Sequence, residues 1–238
     1  MIVITMAGHS SRFFKAGYKQ PKYMLKLNGK SIFKWSISSF VKYFQTEDFT
    51  FIIKRDEEIK KFIEGEIESL GILNYSIVEL NNNTRGQAET AYLALKGKVQ
   101  DFPIIIFNID TIRYGYVKPD FINNCDGYLE VFYDEGEHWS FIESGADNLV
   151  LRTTEKIKIS NLCSDGLYYF KSQKLFCKIF EEALEANDLV GNEFYVAPLY
   201  NKLIEKGGKV MFHEVSVNCL DFAGTPSEYE YLLEKKGK

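Results

Sequence analysis

Short apolar runs alternate with longer amphipathic segments through the first half of the chain. Residues 2–6 form a β-branched run ended by Ala7-Gly8, which predicts a buried strand. A polar turn, His9 to Arg12, follows, and Pro21-Lys22 closes the loop. Between residues 31 and 44 the apolar positions (Ile32, Trp35, Ile37, Phe40, Val41, Phe44) keep helical spacing, with Ser31 as N-cap. A strand at 49–53, a helix at 57–70 with one charged face, a strand at 75–79, a helix at 87–96 after Gly86 and a strand at 103–108 complete the series. The last run, PIIIFN, is apolar enough to be central.

Strand–helix alternation predicts an α/β fold: a Rossmann-like, mostly parallel sheet with helices on both faces and right-handed crossovers. Past Asp110 the rhythm changes. Runs at 127–133, 140–143, 150–153 and 167–170 are strand-like with no long helix between them. Helices are predicted at 173–185, 195–206 and 226–235, and a strand at 209–214. The expected organisation is one domain over 1–238. Its nucleotide-binding half is 1–112, and 113–238 adds a smaller, β-rich acceptor-binding lobe to the same sheet.

Composition narrows the function classes. A net charge of −4, with no clustered Lys and Arg beside the aromatic residues, argues against a nucleic-acid partner. No apolar run approaches the ~20 residues of a membrane helix. The N-terminus runs straight into a glycine turn without a signal-like core. Cys125, Cys163, Cys177 and Cys219 form no CxxC pair, so neither a zinc site nor a redox motif is indicated, and a reducing cytoplasm is expected. The aromatic content allows a homodimer but marks no surface for it.

Five segments carry candidate chemistry. After the first strand, Gly8 permits a sharp turn whose N–H groups cradle phosphate oxygens, Arg12 can grip a triphosphate and Lys22 adds a point charge. Asp110, in FNIDT, ends an apolar strand and suits Mg²⁺, which prefers one or two carboxylates plus phosphate oxygens. Asp221, in LDFAGTP, ends a late strand, so two acids could hold one metal between them. Gln87, behind Gly86, offers a donor and an acceptor to a base edge. Glu155 could bond polar groups of an acceptor, and Lys156 its phosphate. Each also has a commonplace reading: a surface loop, a capping Asp, a helix start, a solvated ion pair. His9 and His138 read as structural, and no Ser/His/Asp or Cys/His arrangement is legible. A glycosyltransferase would want a DxD motif where FNIDT has one Asp. A non-catalytic nucleotide sensor would not need both acids and both cations.

The order of these segments resembles the sugar-nucleotidyltransferases, or NDP-sugar pyrophosphorylases. MAGHSSRFFKAGYKQPKYML is similar to their signature loop, GQAETAYLA to their base-recognition segment, FNIDT to their first metal site, TTEK and GLYYF to their acceptor segment, and LDFAGTPSEY to their second metal site. The resemblance implies an Mg²⁺-dependent enzyme that transfers NMP from an NTP to a small phosphorylated acceptor and releases pyrophosphate. It implies that Ala7, Gly8, Ser10, Ser11, Arg12, Lys22, Gly86 and Gln87 bind the nucleotide. Arg12, Lys22 and Asp110 would be catalytic, Asp110 and Asp221 would hold Mg²⁺, and Glu155 and Lys156 would bind the acceptor. Ser10 stands where the family has a second glycine, and DFAGTP is one residue longer than its usual DxGTP. The short form ending soon after DFAGTP is similar to members from capsule and surface-polysaccharide loci, which implies CTP as the favoured nucleotide.

Overall fold

The computed structural model describes residues 1–236. Its first four sheet strands are β1 (Ile2–Thr5), β4 (Asp48–Lys54), β5 (Asn74–Leu80) and β6 (Ile104–Asn108), all parallel, in the spatial order β5-β4-β1-β6. The near-continuous apolar sequence of β1, β4 and β6 follows from burial on both faces, while β5, at the edge, is partly exposed. Val3, Ile52, Ile104 and Ile106 enter one core, and Ile2, Ile4, Phe51, Ile105 and Phe107 the other.

Helices cover each face. α2 (Ile32–Ile37) and α3 (Glu57–Leu70) bury Phe33, Ile37, Ile63 and Ile67 in the second core. α4 (Gln87–Leu95), α5 (Gln173–Glu185) and α6 (Leu199–Glu205) bury Ala88, Ala91, Leu95, Phe176, Phe180 and Leu203 in the first. α3 starts where the Asp56 carboxylate accepts from the Glu58 and Ile59 N–H groups, a cap worth about 1 kcal/mol. It stops at Gly71, whose φ of 70° terminates the spiral. The helix expected over 31–44 divides. Ser31 caps it as predicted, but after Ile37 it tightens to a 3₁₀ segment, Ser38–Tyr43, with non-helical dihedrals at Phe40. Phe40 is thereby buried among Phe49, Phe107 and Tyr116 rings.

The same sheet continues into the second half with mainly antiparallel pairing. β8 (Gly127–Tyr133), β9 (Ser140–Ser144), β10 (Val150–Glu155), β11 (Leu162–Phe170) and β12 (Val210–Glu214) extend it to nine strands. β11 lies between β6 and β8 and changes register between Ser164 and Tyr168. Three short strands and a turn of helix were not foreseen. They are β2 (Lys26–Leu27) with β3 (Lys30–Ser31), β7 (Thr111–Arg113), and α1 (Ser11–Lys15). β7 pairs antiparallel with β13 (Leu220–Phe222), outside the main sheet, and α7 (Pro226–Lys236) follows. Cys125, Cys163 and Cys177 are buried, and all four cysteines are free thiols. No helix among the described residues is long and apolar enough to cross a membrane.

Candidate active site

The chain runs from β1 through β4 to β5 and then returns to lay β6 on the other side of β1. That reversal opens a crevice beyond the carboxyl ends of β1 and β6, where open α/β sheets bind ligands. A cavity of about 510 Å³ lies there, lined by Thr5 to His9 from one strand end and Asn108 to Thr111 from the other.

The loop after β1 forms one wall. Ala7, Gly8, His9, Ser11 and Lys22 line the cavity. Ser10 does not line it. In a left-handed conformation (φ 49°), it accepts the Lys22 N–H at its hydroxyl (3.2 Å), which ties the two ends of the loop together. The Lys22 ammonium then reaches Asp110 Oδ2 at 2.5 Å. Arg12 is not brought in. α1 begins at Ser11, and the helix turns Phe13 into the core and leaves Arg12 exposed.

A second wall carries Gly86, Gln87 and Thr90 at the start of α4. The Gln87 Nε2 atom is buried without a hydrogen-bond partner among the described residues, which is costly unless a ligand supplies an acceptor. Gly86 has φ 109° and ψ 179°, and an added Cβ would stand 2.5 Å from the Phe194 carbonyl oxygen. The close backbone approach expected of this glycine is therefore to residue 194, whose neighbours Glu193 and Tyr195 line the far end of the cavity.

That far end holds His138, Trp139, Ser140, Glu155, Asp165, Tyr168, Glu193, Tyr195 and Phe222. Glu155 is buried, accepts from Ser140, and has its carboxyl pushed up chiefly by desolvation. Lys156 is outside the lining set. Its ammonium donates to the Tyr195 hydroxyl and sits 4.6 Å above that ring. Asp165 is 2% exposed, and its carboxyl is held well above the usual range by burial and by the Glu130 charge. Its Oδ1 accepts from Leu167 N–H at 3.0 Å, and its protonated carboxyl lies against that of Glu130. Beneath it, buried Arg113 clasps Glu130 through two bonds of 2.7 and 3.2 Å. Gly166 is required here: with φ +93°, its Cβ would lie 2.1 Å from Asn108 Nδ2.

The two acids expected to share a metal do not meet in this cavity. Asp221 is the middle residue of β13, and alternation along a strand turns it away from the face that Phe222 presents to the cavity. Its carboxylate accepts from Tyr114 Oη (2.7 Å) and Lys235 Nζ (3.3 Å) and lines a different pocket. The carboxylate that lies beside Asp110 is that of Glu228. A Cβ on Gly224 would stand 2.8 Å from Asp110 Oδ2 and 3.4 Å from Glu228 Oε2, so both carboxylates abut one point of the wall. Asp110 and its chain neighbours are anchored there by Ala223 N–H donating to the Asp110 carbonyl at 2.8 Å. Sequence reading missed Glu228, Glu193, Tyr195 and Asp165, and took Trp139, beside His138, as structural. Only the Thr-x-x-Glu spacing of Thr225 and Glu228 carries a local signal, and it is the signal of a helix cap.

Five carboxyl groups (Asp110, Glu155, Asp165, Glu193, Glu228) line the cavity with one lysine, and Asp165 among them is kept neutral by burial. No group of three His, Cys, Asp or Glu residues that could hold a metal occurs among the described residues. Mg²⁺ does not require such a cage. It is commonly held by one or two carboxylates plus substrate phosphates, and Asp110 with Glu228 is a donor set of that kind.

No family model and no curated protein matches the chain. Solved structures do. The nucleoside-diphosphate-sugar pyrophosphorylase from Vibrio cholerae RC9 superposes with a TM-score of 0.93 and 42% identity, covering 98% of this chain and 100% of that one. The inositol-1-phosphate CTP transferase from T. maritima gives a TM-score of 0.75 at 15% identity, covering 100% and 96%. The CTP:phosphocholine cytidylyltransferase from Streptococcus pneumoniae gives 0.69 at 17%, covering 98% and 97%. The latter two show the fold. With the Vibrio structure matched over its whole length, the chain belongs to the family of NDP-sugar pyrophosphorylases, the sugar nucleotidyltransferases.

Proposed function

We propose that the protein transfers NMP from an NTP, with CTP favoured, to a small phosphorylated acceptor, and that the acceptor is phosphoglutamine in capsule biosynthesis. The observation that carries the transfer chemistry is the meeting of Lys22 with Asp110 at 2.5 Å in one cavity, 88 positions apart along the chain. The unpartnered Gln87 amide lines the same cavity. An acceptor phosphate oxygen attacks the α-phosphorus in line, the bond from that phosphorus to the β-phosphate oxygen breaks, and pyrophosphate leaves. The protein contributes positioning and charge neutralisation. The Gly8 turn cradles the triphosphate, Gln87 meets the base edge, and Lys22 moves from Asp110 onto phosphate oxygens as the nucleotide enters. Arg12, exposed beside Ser11, adds charge from outside. Glu155 meets acceptor polar groups, and Lys156 meets its phosphate. Mg²⁺ held by Asp110, with Glu228 beside it, would neutralise charge on the α-phosphate and the leaving group.

A sugar 1-phosphate is the second reading, favoured by likeness to a nucleoside-diphosphate-sugar pyrophosphorylase. Pyrophosphate release measured for four NTPs, each crossed with L-glutamine phosphate and a panel of sugar 1-phosphates, separates the two. Release with CTP and phosphoglutamine is expected. Release with sugar 1-phosphates alone sinks the phosphoglutamine reading, and none with any pair sinks the transferase reading.

A further inference from the structure

Strand β11 breaks step with β8 where it passes the cavity. Ser164 pairs with Val131 and Tyr168 with Leu129, so Asp165, Gly166 and Leu167 stand opposite Glu130 alone. This bulge touches the chain both before and after Asp110. Gly166, at φ +93°, packs so closely on Asn108 that a Cβ would lie 2.1 Å from its Nδ2. The Asp165 carbonyl accepts the Thr111 hydroxyl at 2.9 Å. Beneath the bulge lies a charged set. The protonated Asp165 carboxyl donates to Glu130, and its other oxygen accepts from Leu167 N–H at 3.0 Å. Arg113, at the end of β7, donates twice to Glu130 and once to the Tyr114 carbonyl. Arg113, Glu130 and Asp165 are all buried. Stability is a weak reason to bury such a set, because well-packed apolar side chains of similar volume often fold as well or better. What the set supplies is a fixed arrangement, and bulges beside active sites serve to aim a side chain.

We propose that Asp165 is a positioning residue of the transfer: the bulge it locks onto Glu130 fixes Asn108 and Thr111, and with them the place of the Asp110 carboxylate. The inference rests on the transferase reading above and deepens it. Asp165 acts through Asn108 and Thr111 rather than on the substrate. Its side chain must donate to Glu130 while accepting from Leu167. Asparagine meets both demands through its amide, and leucine, of similar shape, meets neither.

Asp165→Asn, Asp165→Leu and Thr111→Val separate this role from a merely structural one. Each is assayed as the whole chain, well below its melting temperature. One readout is kcat and nucleotide KM from pyrophosphate release. The other is Mn²⁺ binding, followed by electron paramagnetic resonance with the non-reacting α,β-methylene analogue of CTP present. Asp165→Leu and Thr111→Val are expected to lose about 10-fold or more in kcat and in Mn²⁺ affinity, as loss of a partner behind a metal-binding carboxylate does, with nucleotide KM changed by about 2-fold at most. Asp165→Asn is expected to match the wild type in both readouts at neutral pH. Folded Asp165→Leu with wild-type kcat and Mn²⁺ affinity overturns the inference. So does an Asp165→Asn as impaired as Asp165→Leu. Thr111→Val with wild-type values overturns it even where Asp165→Leu does not fold. Pyrophosphate release from the wild type is read separately: its absence with every substrate pair defeats the transferase reading, and the Mn²⁺ comparison then tests the positioning role by itself.

Discussion

Substitution of Gly86 by alanine tests whether the base end and the acceptor end of the cavity are one mechanical unit. At φ 109° and ψ 179° the backbone is in a region open almost only to glycine, and a side chain there costs about 1–3 kcal/mol. The new methyl would also stand 2.5 Å from Phe194 O and 2.9 Å from Phe194 N. Residue 194 cannot retreat cheaply. Its N–H donates to Arg85 O at 2.5 Å, its carbonyl accepts from Ala88 N–H at 3.1 Å, and its ring packs 5.3 Å from Phe180. Parting these strands of chain sacrifices two hydrogen bonds worth about 0.5–1.5 kcal/mol each. The expected loss is roughly 4 kcal/mol, which for a chain of this size lowers Tm by about 10 °C. Gly65→Ala is the control. It is inside α3 with no atom within 4 Å of an added Cβ, and alanine there stabilises by up to about 1 kcal/mol. Urea denaturation and thermal melts of both variants give the numbers. Because Gln87 follows one side of the contact and Glu193 and Tyr195 flank the other, Gly86→Ala also weakens nucleotide and acceptor binding together. A Tm within about 3 °C of wild type, with both affinities unchanged, refutes this reasoning.

Three further outcomes follow from the site. Asp110→Asn or Lys22→Ala lowers turnover by about 10²-fold or more, while Asp221→Asn has only a small effect because its carboxylate faces Tyr114 and Lys235; steady-state pyrophosphate release on folded variants checks both. Chelation of divalent ions abolishes turnover and Mg²⁺ restores it, while the melting curve of the nucleotide-free protein stays where it was. Asp165 is held protonated by burial, so wild-type stability is fullest below the ordinary aspartate range and falls as pH rises toward its elevated folded value. Asp165→Asn removes that fall and melts above the wild type at alkaline pH, and a flat difference between the two melting profiles across pH 4–9 contradicts it.

The parts of the fold that could be read from sequence are those in which local pattern and tertiary environment agree. β4 and β6 are apolar because both faces are covered, and α3 and α5 run over the spans that the sequence pattern assigns, 57–70 and 173–185. The split of the 31–44 helix was not legible, because Phe40 fits helical spacing equally well. What breaks the spiral is a demand for that ring among Phe49, Phe107 and Tyr116, which come from elsewhere in the chain. The loop after β1, Asp110 and Gln87 were legible because each follows a strand end or opens a helix at the sheet's carboxyl edge. Glu193, Tyr195 and Trp139 were not, since each enters from a loop or strand end whose place depends on pairings distant in sequence.

Asp221 and Glu228 make the same point at the scale of one residue. Two acids in LDFAGTPSEY compete for the role beside Asp110, and sequence spacing prefers the first because it comes nearest the family pattern. A strand has a side-chain period of two, so moving the acid one position from the Gly-Thr-Pro turn sends it to the opposite face. The pairing of Leu220, Asp221 and Phe222 with Arg113, Ile112 and Thr111 fixes that choice. Phe222 then faces the cavity and packs on Trp139 at 4.8 Å, while Glu228, one turn into α7, comes up against Gly224 opposite Asp110. The extra residue in DFAGTP therefore has two consequences at once. It turns a carboxylate away from Asp110, and it adds an aromatic ring to the cavity wall beside Trp139. A Glu228→Gln variant that binds Mn²⁺ as tightly as wild type in the presence of nucleotide, while Asp221→Asn does not, would reverse this assignment and return the second acid to the strand.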